Sequence, residues 1–207
     1  MTRDELKSKL VNYLPPLAID DCIDYISKYR IKMVVTKARS SKLGDYTPPQ
    51  NGHTHVIPIN YNLNKSAFLV TFLHEVAHLL AFINHGPQIE PHGKEWKLTF
   101  AQTLKPFIES HIFPDDVKFA LMRSIQNLAA SSCADSNLYR ALKKHDTQGI
   151  YQLLENLPDG TEFKLKGYSD VFIKGKILRK RYECALKNTE RKFHIHGLAE
   201  VIQLTLL

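Results

Sequence analysis

Apolar residues in this chain recur with two different periods, and the change comes near residue 158. Before it the spacing is mostly three and four, the period of helices packed on one face. Residues 4–14 and 18–29 read as two amphipathic helices separated by Pro15-Pro16. The β-branched run 31–35 suits a buried strand, 42–46 could pair beside it, and 47–52, dense in Pro, Asn and Gly, reads as a loop. Residues 53–60 alternate well enough to form another strand. An apolar helix follows, with Leu69, Phe72, Leu73, Val76, Leu80 and Ile83 forming a buried stripe. Asn62 and Asn64 are its candidate N-caps, and Gly86-Pro87 stops it, with Gly86 as a left-handed residue past the end. A second helix is expected from 94 to about 104, where Trp96, Phe100 and Leu104 are spaced to pack back on the first. A third covers about 114–128.

Ala129-Ala130-Ser131-Ser132 reads as a boundary. Short helices at 137–145 and 147–156 lead to Pro158-Asp159-Gly160, a turn signal. From there the period is two: Phe163/Leu165, Val171/Ile173, Leu178/Tyr182/Cys184, Phe193/Ile195 and 201–206 predict four or five antiparallel strands. The expected fold class is α+β, with a first domain over 1–130, a helical linker over 131–157 and a small β-sheet domain over 158–207.

Composition narrows the setting. Apolar residues make up 43% of the 207, near the globular average, so a core needs no staples. No run approaches the 18–20 apolar residues of a membrane span, and the charged first ten residues lack the apolar segment of a signal peptide. The three scattered cysteines suit a reducing compartment. The expectation is a cytoplasmic protein without a membrane segment. Net charge of +7 favours a polyanionic partner such as nucleic acid without establishing one. The densest basic stretch holds Lys174, Lys176, Arg179, Lys180 and Arg181 within eight residues. On a strand it could track phosphates, with Tyr168 or Tyr182 as a stacking platform. Equally, it could be a solvated hairpin edge kept from aggregation by charge.

The chemistry concentrates in His74-Glu75-Val76-Ala77-His78, inside the apolar helix. Positions i and i+4 stack on one helical face, so both imidazoles can approach one ion. Glu75 is rotated about 100° from His74, where a carboxylate can serve a metal-activated water without ligating the metal. The plainer alternative is a core helix with two hydrogen-bonded histidines. A catalytic zinc takes three protein ligands. His85 lies about 10 Å further along the helix than His78, too far to share its ion. His92 is the better candidate, because the chain has turned at Gly86-Pro87 and returns at 91–93 to begin the next helix. Glu90 and Glu95 are rival carboxylate ligands, and Glu95 could instead support a histidine. The strand over 53–59 is the expected sheet edge, on which an extended peptide could add; His53 and His55 would share one face of it, and Tyr46 lies on the preceding strand. All three are candidate substrate contacts, although His53 and His55 read more plainly as ordinary half-exposed strand histidines.

His74-Glu75-x-x-His78-Leu79-Leu80, followed by Pro91-His92-Gly93-Lys94-Glu95-Trp96-Lys97, resembles the SprT-like family, bacterial relatives of the DNA-dependent protease Spartan. Ser41-Lys42-Leu43-Gly44-Asp45-Tyr46 is similar to the family's strand leading into the site, and the resemblance covers roughly residues 1–130. It implies a zincin-like minimal metalloprotease domain of helices plus a small antiparallel sheet. It further implies one zinc ion on His74, His78 and His92, with Glu75 as general base and DNA-bound proteins as substrate. The C-terminal part departs from the pattern: many members end in a four-cysteine zinc ribbon, whereas Cys22, Cys133 and Cys184 contain no C-x-x-C pair. The competing expectations are a non-proteolytic DNA-associated metal-binding protein and a zinc peptidase indifferent to DNA.

Overall fold

The computed structural model describes residues 2–39, 41–49, 54–126, 135–146 and 149–204. The chain forms two compact units, residues 1–146 and 147–207. The expected boundary at 129–132 lies outside the described residues.

In the first unit, α1 (Arg3–Leu10) starts in a capping box between Thr2 and Glu5, and α2 (Ile19–Lys28) buries Ile19, Cys22, Ile23 and Ile26. Arg3 and Lys7 of α1 bond Asp20 of α2 at 3.1 and 3.0 Å, holding the two helices side by side. β1 (Ile31–Thr36) and β2 (His55–Asn60) follow, and they run parallel, with Ile31 opposite His55 and Thr36 opposite Asn60. This corrects the expected antiparallel sheet and the expected partner of residues 42–46. That segment returns antiparallel along the other side of β2, through Asp45 N–H to Pro58 O (3.1 Å), the paired Thr47–Val56 bonds and Asn60 N–H to Leu43 O (2.9 Å). β2 is therefore central, which suits its fully buried Ile57 and Ile59. Buried Asn60 fixes the returning loop, because its amide donates to the carbonyls of Arg39 (3.1 Å) and Lys42 (2.9 Å) and accepts from Arg39 Nε (2.9 Å).

α3 (Lys65–His85) begins at Asn64, whose side chain accepts from Ala67 N–H, and ends at Gly86, where φ is 85°. The expected stripe is wider than expected: from Ser66 to Ala77 every residue is buried, as befits a helix apolar all round. By length and composition α3 could cross a membrane, contrary to the expectation drawn from the sequence, but it forms the centre of this unit's core. α4 (Lys94–Glu109) packs on it through Trp96, Phe100 and Leu104, and α5 (Asp115–Gln126) and α6 (Ser136–Lys143) complete the layer. α6 is no linker. Leu138 and Ala141 enter the same core, and Asn64 Nδ2 donates to Leu142 O (2.8 Å) and Asp146 Oδ1 (2.7 Å).

The second unit is one antiparallel sheet in the order β3-β8-β4-β5-β6-β7. Its strands are β3 (Gln152–Leu153), β4 (Glu162–Leu165), β5 (Val171–Leu178), β6 (Arg181–Leu186), β7 (Lys192–His196) and β8 (Glu200–Gln203). The helix expected over 147–156 is replaced by β3 and a 3-10 turn, Leu154–Asn156. Leu153, Leu154 and Leu157 turn inward there, while Ile150 stays 72% exposed, so their helix-like spacing carries no helix. The core closes over Leu154, Leu157, Phe163, Phe172, Cys184 and Val201.

Candidate metal centre

α3 supplies two imidazoles and the turn before α4 supplies a third. Nε2 of His74 and His78 lie 3.2 Å apart, and each stands 3.1 Å from Nε2 of His92. Each Nε2 has one in-plane direction, holding either a proton or a lone pair, so three converging atoms leave at least one contact of like against like. Hydrogen bonding alone does not explain the triangle. A shared divalent ion does, since nitrogens about 2.0–2.1 Å from a tetrahedral zinc stand roughly 3.3 Å apart. Among the described residues these three histidines are the group able to hold a metal, whereas His85 and Glu95 are exposed and Glu90 lies against Gly93.

The surroundings prepare the histidines for that role. Burial pushes His74 down to about 3, helped by His78 and His92, and pushes His78 down to about 4. His92 is lowered chiefly by burial, then by Lys97. Neutral rings keep their lone pairs available at neutral pH. Trp96 forms the apolar wall, its ring 4.6 Å from those of His74 and His92, 5.0 Å from His78, and stacked on Phe100 at 5.0 Å. Its buried indole N–H has no hydrogen-bond partner among the described residues. His92 has φ of 60°, a left-handed backbone that costs a non-glycine residue roughly 1–2 kcal/mol. That conformation turns its ring back toward α3.

Glu75 is 6% exposed, and burial first, then Asp45, pushes its carboxyl up to about 8 against the pull of Arg39 and Lys42. Directly beside it runs the backbone of Gly44. A Cβ there would come 2.8 Å from Glu75 Oε1 and 2.6 Å from Thr71 Cγ2, so only glycine lets the strand lie this close to the carboxylate. The sequence reading missed this contact, although a glycine within a strand-like stretch is the signal for it.

Tyr46 and His55 come together one helical turn beyond His78. The Tyr46 hydroxyl is bonded to His55 Nδ1 at 2.9 Å, and both rings meet Phe82, at 6.2 and 6.5 Å. Burial raises the Tyr46 hydroxyl to about 12 and lowers His55. His53 lies outside the described residues. The expected edge strand, 53–59, is instead central, and among the described residues the unpaired edge belongs to residues 43–47, where Gly44 and Tyr46 turn their N–H and C=O groups away from β2.

The basic stretch of the second unit divides in two. Lys174 is buried, its ammonium donating to Leu157 O, pairing with Asp159 at 3.5 Å and lying 4.1 Å over the Tyr182 ring. It is a structural clamp and not a phosphate contact. A bulge at Gly175 accompanies this, since a Cβ there would meet Glu183 O at 2.3 Å. Arg179 and Lys180 form the turn between β5 and β6, with Arg179 at φ 56°, so they do not alternate across a strand as expected. Lys176, Arg179, Lys180 and Arg181 cluster at or near this tip and have no acidic partner among the described residues, unlike Lys166, Lys187 and Lys192, which pair with Glu200, Glu162 and Glu183.

The combination of an i, i+4 histidine pair, a third histidine and a buried glutamate on an α+β scaffold defines a class of metal-site proteins. Residues 21–113 match the SprT-like family. It is similar to "Protein SprT" of Pseudomonas aeruginosa (strain UCBPP-PA14), 31% identical over 107 residues, 51% of this chain and 48% of the relative. It is also similar to "Protein SprT" of Pseudomonas fluorescens (strain Pf0-1), 29% identical over 138 residues, 61% of this chain and 79% of the relative. The chain thus spans about half the length of the P. aeruginosa relative. The second unit, residues 147–207, lies outside the family match. No solved structure matches the chain.

Proposed function

We propose that this protein is a zinc metallopeptidase with a zincin-like site, acting on proteins held on DNA. The observation that carries the reading is the convergence of His74, His78 and His92 Nε2 within 3.2 Å, beside buried Glu75. Zinc suits three imidazole donors, and when bound it supplies Lewis acidity, polarising a carbonyl and making water a usable nucleophile at neutral pH. Glu75 accepts the proton of the attacking water and delivers it to the leaving amine nitrogen. Gly44 brings this strand edge, unpaired among the described residues, against that carboxylate, so a peptide pairing with residues 43–47 would lie across it. Tyr46 and His55 border the same edge as substrate contacts. Trp96 excludes water from the back of the histidines.

The DNA part of the proposal rests on the family match over residues 21–113, the +7 net charge and the cations Lys176, Arg179, Lys180 and Arg181, which have no acidic partner among the described residues. The test incubates zinc-loaded protein with a DNA-binding protein substrate, without DNA and with single-stranded or duplex DNA, beside Glu75→Gln. Cleavage that DNA stimulates and Glu75→Gln abolishes is the expected result. Cleavage indifferent to DNA would leave a general peptidase, and DNA binding without cleavage a metal-binding scaffold.

A further inference from the structure

We infer that Tyr46, His55 and Phe82 form a subsite that grips one aromatic or large apolar side chain of the substrate, on the N-terminal side of the bond to be cut. The inference rests on the peptidase reading and names residues that discriminate between substrates. Its geometry starts from the strand edge. Residues 43–47 pair with β2 so that Gly44 faces Ile59 and Tyr46 falls opposite Ile57, which places Gly44, Tyr46 and His55 on the helix-facing side with the two buried isoleucines. Gly44 rests on Thr71 and Glu75, and Tyr46 rests on Phe82, so this edge runs in the same direction as α3.

A peptide laid antiparallel on that edge has its N-terminal portion beside Tyr46 and proceeds toward Glu75. Phe82 is four residues past His78, about 6 Å along the helix, which is the span of about two residues of extended chain. A side chain two or three positions before the scissile bond therefore arrives at the three rings. They are built to receive it. Tyr46 and His55 stack at 5.9 Å with an interplanar angle of 21°, Phe82 stands edge-on to both, and all three remain half-buried with ring surface accessible. The Tyr46 hydroxyl and His55 Nδ1 are bonded to each other at 2.9 Å, so these two polar atoms are paired and the ring faces offer apolar surface. Packing of this kind favours an aromatic ring over a methyl group.

The test uses the zinc-loaded 207-residue chain carrying Glu75→Gln, in which binding is read without turnover, and short alanine-rich peptides with or without a single Phe. Phe peptides should bind roughly tenfold tighter than their all-alanine counterparts. Adding Phe82→Ala should erase that ratio, and His55→Ala, at the end of its strand, should reduce it as a second variant. With Glu75 intact, product masses should place the cut two or three residues after the Phe. Equal binding of both peptides, a ratio that survives Phe82→Ala in folded protein, or cuts scattered around the Phe would each overturn the inference. Selective binding without any cleavage would defeat the peptidase reading and leave the subsite standing.

Discussion

The three histidines of the first unit and Lys174 of the second are both ionisable groups in apolar surroundings, yet they end in opposite states. Lys174 finds a carbonyl, a carboxylate and an aromatic face, so the protein answers its charge completely. The imidazoles point their Nε2 atoms at one another, in an arrangement that could hold a metal ion. A buried polar group that the fold satisfies is architecture, and one that the fold aims at a shared point is a site.

The sharpest break in this comparison is Glu75→Gln, which should lower peptide hydrolysis by about 10²–10⁴-fold while zinc content, measured by elemental analysis, stays at one ion. Gly44→Ala should come next, because the added methyl meets Glu75 Oε1 and Thr71 Cγ2. A carboxylate displaced by about 1 Å costs up to roughly 10²-fold in rate. Metal affinity should hold, and an unchanged rate would show that the strand yields instead. In the second unit, Lys174→Met leaves Leu157 O unsatisfied and should destabilise the fold by about 1–3 kcal/mol in denaturant titration, whereas Lys176→Met should leave stability unaltered.

The pH dependence of the metal-free protein gives the smallest and most diagnostic effect. Folded His74 and His78 titrate near 3 and 4 against 6.5 when unfolded, so the unfolded chain binds more protons below 6.5 and stability falls as pH drops. Glu75 works the other way: near 8 folded and 4.5 unfolded, it makes stability fall as pH rises between those values. With His92 lowered as well, the imidazoles outweigh the one carboxyl on the acid side and the carboxyl alone acts on the alkaline side, so melting temperature should pass through a maximum near neutral pH. Bound zinc should flatten the acid limb only where it outcompetes protons.

The gathering of the three histidines was legible because helical geometry alone stacks His74 on His78 and excludes His85, and because Gly86-Pro87 announces the turn that returns His92. The sheet was less legible. Alternation at 53–60 tells which faces a strand presents, but not how many neighbours it has, so a central β2 read as an edge. Lys174 misled for a related reason. Its burial is set by contacts with Leu157, Asp159 and Tyr182, each distant in sequence, and a bulge at Gly175 breaks the simple alternation beyond it. In the same way, Leu153, Leu154 and Leu157 have helical spacing, but β8 claims that segment as a strand partner.

His92 comes from the connection between two helices, fourteen residues after His78. An ion held by both would therefore act as a cross-link, cinching α3 to the start of α4 much as a disulfide closes a loop. By that analogy, a closure of this length takes about 3 kcal/mol of freedom from the unfolded chain. Chelation would then do more than silence the chemistry: it would loosen the strap between the helices and expose residues 86–93 to any passing protease.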